Sequence, residues 1–172
     1  DKNLIRVAML GDSITEGMHI PLGKTFSDKL DLLLNKKASD EGSIFKYEVM
    51  NFGVGGYNLA AEVETLKKRE DMSMQFDEIE RLKIKYGFNF LICIHDFFTP
   101  SFADNPNCNK YVELIIKHGF YYFRINEYYK KAVPSSESLV LIKGDSCHPN
   151  ELGHAVIAEA MLTELREHGF IQ

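Results

Sequence analysis

The chain has 172 residues, 45% of them hydrophobic, which fits a single domain over 1–172 with a sizeable core. Its 20 Lys and Arg against 25 Asp and Glu leave a net charge of −5, arguing against nucleic acid or an anionic membrane surface as the main partner. Cys93, Cys108 and Cys147 form no spaced disulfide framework and favour a reducing, cytoplasmic setting, and no apolar stretch approaches the ~20 residues of a membrane span. A start at Asp1 rather than Met reads as a trimmed form, from which a targeting segment could have been removed.

Apolar runs of strand length alternate with stretches of helical period. This predicts an α/β fold: a three-layer α/β/α, flavodoxin-like doubly wound parallel sheet of about five strands. Strands are expected at 4–10, 45–51, 88–94, 120–125 and 139–142. Between them, Phe26, Leu30, Leu33 and Leu34 recur at helical spacing, followed by Leu59, Val63 and Leu66, then Phe76, Ile79 and Leu82, then Tyr111, Leu114 and Ile115. The last helix is the clearest, with Asn150 as N-cap, a stripe of Leu152, Val156, Ile157, Ala160, Met161 and Leu165, and Gly169 as its stop. The longest loop is expected at 101–109, and the aromatic run Phe120, Tyr121, Tyr122 and Phe123, with Tyr128 and Tyr129, reads as strand and core packing.

Two segments carry chemistry. Gly11-Asp12-Ser13-Ile14-Thr15-Glu16-Gly17 follows the first strand directly, and Asp145-Ser146-Cys147-His148-Pro149-Asn150 precedes the last helix. A serine hydroxyl is a poor nucleophile at neutral pH. It needs an imidazole to take its proton and a carboxylate to fix that imidazole's tautomer. Ser13, His148 and Asp145 are those three groups, and in a doubly wound sheet all fall where ligands bind, beyond the carboxyl ends of strands. Asp12 reads as the residue that holds the turn, and His154, one turn into the last helix, as a packed histidine. Gly53-Val54-Gly55-Gly56 closes the second strand, where glycine lets backbone approach a ligand; it lacks the third glycine of a dinucleotide fingerprint. Asp145, Cys147 and His148 lack further ligands at metal spacing, so no metal is expected.

These blocks resemble the GDSL or SGNH serine esterases and acylhydrolases. The resemblance covers most of the chain and rests on the Gly11 to Gly17 block, on Asn51-Phe52-Gly53-Val54-Gly55-Gly56-Tyr57-Asn58, and on the Asp145 to His148 block continued through Glu151-Leu152-Gly153-His154. It implies Ser13 as nucleophile, His148 as general base and acid, Asp145 as its orienter and Gly56 N–H as an oxyanion donor. It also implies a small-molecule carboxylic ester as substrate, an acyl-Ser13 intermediate and no cofactor. An acyltransferase on the same site and a binding protein on a decayed hydrolase fold are the alternatives.

One family block is missing. Members carry a Gly-x-Asn-Asp segment after their third strand, whose Asn donates to the oxyanion, and this chain has no such tetrapeptide. Either Cys93-Ile94-His95-Asp96 replaces it, making His95 the third donor, or 88–94 is the following strand and the third is absent. Absence is the preferred reading, because 59–70 runs into 76–86 with no buried strand between.

Overall fold

The computed structural model describes residues 3–56, 72–96, 98–99 and 101–171. The expected helix at Leu59, Val63 and Leu66, and Tyr57 and Asn58 of the second block, lie outside the described residues. Strand β1 (Leu4–Gly11) runs into the one-turn helix α1 (Ser13–Glu16), followed by α2 (Phe26–Asp40) and β2 (Lys46–Gly53). Helix α3 (Met72–Tyr86), β3 (Leu91–Ile94), α4 (Asn109–Lys117), β4 (Tyr121–Arg124), α5 (Ile125–Ala132) and α6 (Glu151–Glu167) complete the described elements, with short 3-10 turns at Pro106–Cys108 and Ser136–Ser138.

Both strand pairs are parallel. β1 lies on β2 in register from Leu4 opposite Lys46 to Gly11 opposite Gly53, and β3 lies on β4 from Leu91 opposite Tyr121 to Ile94 opposite Arg124. The alternation of a strand sends successive side chains to opposite faces. Cys93 and Phe123 accordingly join the main core, whereas Ile92, Ile94 and Tyr122 face a second cluster with Ile115 and Phe120 under α3 and α4. On β1, Ile5, Val7 and Met9 point into the main core, where α2 contributes Phe26, Leu30 and Leu34 and α6 contributes Ile157, Ala158 and Leu165. Helices therefore lie on both sides of the β3–β4 pair, in keeping with the three-layer α/β/α reading. On the other face of the β1–β2 pair, Leu10 is 71% and Phe52 52% exposed beside the Arg6–Glu48 ion pair, and no helix among the described residues packs there.

The expected strand at 139–142 is corrected. It makes a single antiparallel bridge, Val140 to Pro149, while Leu141 N–H donates to the His148 carbonyl (2.9 Å) and Asn150 N–H to the Leu139 carbonyl (2.7 Å). The turn at Gly144, with φ of 90°, folds the chain back, so these apolar residues bond the loop that follows instead of extending a parallel sheet. The described strands thus number four, in two separate ladders.

The helix ends follow their sequence signals. Thr25 and Asp28 cap α2 reciprocally, and the Asn150 side chain accepts from Leu152 N–H and Gly153 N–H at the start of α6. No helix among the described residues is long and apolar enough to cross a membrane.

Candidate active site

β1 ends at Gly11, and Asp12 then caps α1 by accepting from Ile14 N–H at 2.8 Å. The cap starts the helix at Ser13, while Gly17, at φ of 72°, ends it after a single turn. A side chain of β2 holds this turn. The Asn51 side-chain amide donates to the Thr15 carbonyl at 2.6 Å and accepts from Gly53 N–H at 2.9 Å. A side chain at Gly53 would stand 2.1 Å from the Glu16 nitrogen, so only glycine lets the strand end come this close.

The second half of the site is the loop after Gly144. Asp145 Oδ1 accepts from the backbone N–H groups of Cys147 (2.9 Å) and His148 (3.0 Å), which leaves Oδ2 free to meet His148 Nδ1 at 2.9 Å. His148 Nε2 then lies 2.9 Å from Ser13 Oγ. Phe98 N–H donates to the Ser146 carbonyl at 2.6 Å, tying the segment beyond β3 to this loop. The three side chains picked from sequence thus form one continuous hydrogen-bonded chain. With Nδ1–H donating to the carboxylate, Nε2 presents a lone pair to the serine hydroxyl.

Electrostatics favour that arrangement. Burial works against ionised Asp145, but the Cys147 and His148 N–H groups and the imidazole outweigh it and bring its pKa down to about 2. The Asp145 side chain is 13% exposed and that of His148 34%, so the carboxylate is sheltered while the imidazole can be reached from outside. A shallow recess of ≈ 500 Å³ lined by His19, Ile20, Pro21, Leu141, Asn150 and Leu152 adjoins the residues flanking His148.

Gly56 stands three residues beyond β2 with φ of 91° and open space where a side chain would be. His95, just past β3, is turned inward: its Nε2 lies 3.1 Å from the Tyr129 hydroxyl and its ring packs edge-on to Phe98 and Tyr129. Burial lowers its pKa to about 4, so the imidazole is neutral near pH 7. Asp96 is fully buried, receiving Arg124 Nη1 at 3.0 and 3.1 Å and Asn105 N–H at 2.9 Å. His154 is the packed histidine expected, stacked on Phe26 and accepting its N–H. The positioning part of Asn51 was not read from sequence; its place just before the glycine block was the available signal.

This fold is that of the SGNH hydrolases. One similar solved structure is a two-domain esterase active on acetylated mannans, with a TM-score of 0.64 and 19% identity over 95% of this chain. This chain spans about half of that protein, 49% of its length. A lipolytic G-D-S-L family protein from Veillonella parvula aligns over 98% of this chain and 100% of its own, at a TM-score of 0.53 and 12% identity. A variant of a Geobacillus acetyl-xylooligosaccharide esterase aligns over 93% of both chains at a TM-score of 0.60 and 15% identity. No protein-family model matches the sequence, and no curated protein matches it.

Proposed function

We propose that the chain hydrolyses carboxylic esters through an acyl-Ser13 intermediate. The observation that carries this reading is the unbroken path from Ser13 Oγ to His148 Nε2 and from His148 Nδ1 to Asp145 Oδ2, each step 2.9 Å, at the carboxyl end of β1. His148 takes the serine proton as Oγ attacks the ester carbonyl, and Asp145 stabilises the imidazolium without itself taking the proton. The imidazolium then protonates the leaving alkoxide. Water, deprotonated by the same nitrogen, attacks the acyl-enzyme and releases the acid and the free serine.

Negative charge develops on the carbonyl oxygen in both steps. Ser13 N–H, at the first position of α1, is one donor to it, and Gly56 N–H is assigned as the second from its place in the glycine block. The Gly-x-Asn-Asp segment of the SGNH pattern does not occur in this sequence, and this reading assigns the oxyanion to these two backbone groups. The likeness to esterases active on acetylated mannans and on acetyl-xylooligosaccharides directs attention to acetyl esters of sugars. An alcohol in place of water would make the same apparatus an acyltransferase.

The missing Asn favours a second reading, a binding protein on a hydrolase fold that no longer turns over. A fluorophosphonate probe separates the two, since only an activated serine is labelled. Labelling of the native chain but not of Ser13→Ala, with hydrolysis of p-nitrophenyl acetate, supports the esterase. An unlabelled, inactive and well-folded protein overturns it.

A further inference from the structure

We propose that Asp145, Cys147 and His148 form an inhibitory site for zinc or a similar thiophilic divalent cation. The three side chains offer a carboxylate oxygen, a thiol sulfur and an imidazole nitrogen that all lie within 4.8 Å of one another. Cys147 Sγ is 3.3 Å from His148 Nδ1 and 3.5 Å from Asp145 Oδ1, and Nδ1 is 2.9 Å from Oδ2. Zinc bonds of ~2.0–2.1 Å to nitrogen or oxygen and ~2.3 Å to sulfur set tetrahedral edges of roughly 3.3–3.6 Å. The sulfur-to-nitrogen separation differs from its edge by only a few tenths of an ångström, and the carboxylate, whose Oδ1 faces the sulfur and Oδ2 the imidazole, reaches both ligands and needs only a small rotation to bring one oxygen onto the metal. Three protein ligands and one water complete four-coordination, and sulfur with imidazole favours zinc over magnesium or calcium. Burial first, then Asp145 and Asp12, push the Cys147 thiol up to about 11, so a cation there meets the negative charge of both carboxylates.

The consequence follows from which nitrogen the metal takes. Zinc on Nδ1 displaces the Asp145 hydrogen bond and releases the thiol proton to solvent, and the imidazole proton moves to Nε2. That nitrogen then donates toward Ser13 and can no longer accept its proton. Metal and catalysis therefore exclude each other through one atom. The inhibition rests on the esterase reading, but the binding does not.

The test uses the whole chain. Cobalt added to the metal-free protein should bind with a thiolate-to-cobalt absorption in the near ultraviolet. Competition against a chromophoric chelator should give one tight zinc equivalent. Cys147→Ala should abolish the band and weaken zinc by about a hundredfold or more, since even partners outside the ligand set are worth ~10–100-fold. His118→Ala, which removes the imidazole of the other candidate group, Asp77, Glu80 and His118, should leave both readouts unchanged. Zinc should inhibit hydrolysis of p-nitrophenyl acetate by the native chain, with recovery on chelation, and should not inhibit Cys147→Ala. A thiolate band without esterase activity would sustain the metal site and remove the esterase. Absence of the band, or equal zinc affinity in Cys147→Ala, overturns the metal site.

Discussion

His154 Nδ1 accepts the backbone N–H of Phe26 at 3.0 Å, so a side chain of α6 satisfies a donor in the first turn of α2 across the core. Such donors have no partner within their own helix. Acceptance requires Nδ1 to be unprotonated. Burial, reinforced by Lys29 and opposed by Asp28, lowers the His154 pKa from 6.5 to about 4. The neutral form is the one the fold holds, so this stabilisation is complete above pH 6.5 and is lost as pH falls toward 4. His95, lowered to about 4 by burial, adds to the loss in the same window. Urea midpoints should be level from pH 7 to 8 and decline from pH ~6.5 to ~4. His154→Leu should lower stability near pH 7 by ~1–3 kcal/mol, from the orphaned Phe26 N–H, and flatten the acid decline. An undiminished decline in that variant would show that His154 does not carry it.

Ser13→Ala should remove ester hydrolysis by ~10³-fold or more and shift stability by less than about 1 kcal/mol, since among the described residues the hydroxyl bonds His148 alone. His148→Ala should cost about as much. The double variant should lose little more than either, because members of one catalytic unit fail together. Losses that multiply in the double variant would place the two residues in different units.

Asp145→Asn is the sharper test of the path. An Asn oxygen can still accept the Cys147 and His148 N–H groups, so the loop should keep its shape and the chain its Tm. The charge that selects the Nδ1–H tautomer is gone, however, and kcat should fall by ~10³–10⁴. Activity and thermal melts on the same preparation check this together.

The site was legible in the sequence because each half is local. Asp12 caps the turn that presents Ser13, and Asp145 reaches His148 across three residues of one loop, so neither needs the rest of the fold to be read. Long-range relations were not. Leu139, Val140, Leu141 and Ile142 carry the same apolar signal whether they extend a sheet or fold back on 148–150, and the choice is made by the turn at Gly144. Helix α5 has no counterpart among the expected elements, where the strand at 120–125 takes in Ile125 and Tyr128 and Tyr129 read as strand and core packing, although the three stand at helical spacing. Their aromatic and β-branched character matches strand residues equally well. Asn51 reads as one more residue of a block until the fold brings the Thr15 carbonyl to it.

A variant of His95 tests the two accounts of the missing block. Its Nε2 meets the Tyr129 hydroxyl, and Tyr129 is fully buried among Phe98 and Phe102. An oxyanion donor must aim at the carbonyl oxygen on which charge develops, whereas this ring is turned into the core. His95→Ala should therefore leave kcat within about threefold, far short of the ~10²–10³ that loss of an oxyanion donor costs. It should instead destabilise the chain by ~1–3 kcal/mol, through a cavity and an unpaired tyrosine hydroxyl. His95→Gln, which can still bond that hydroxyl, should recover part of the stability and leave kcat unchanged. A hundredfold loss of kcat in His95→Ala with Tm retained would reverse the assignment and make His95 the third donor.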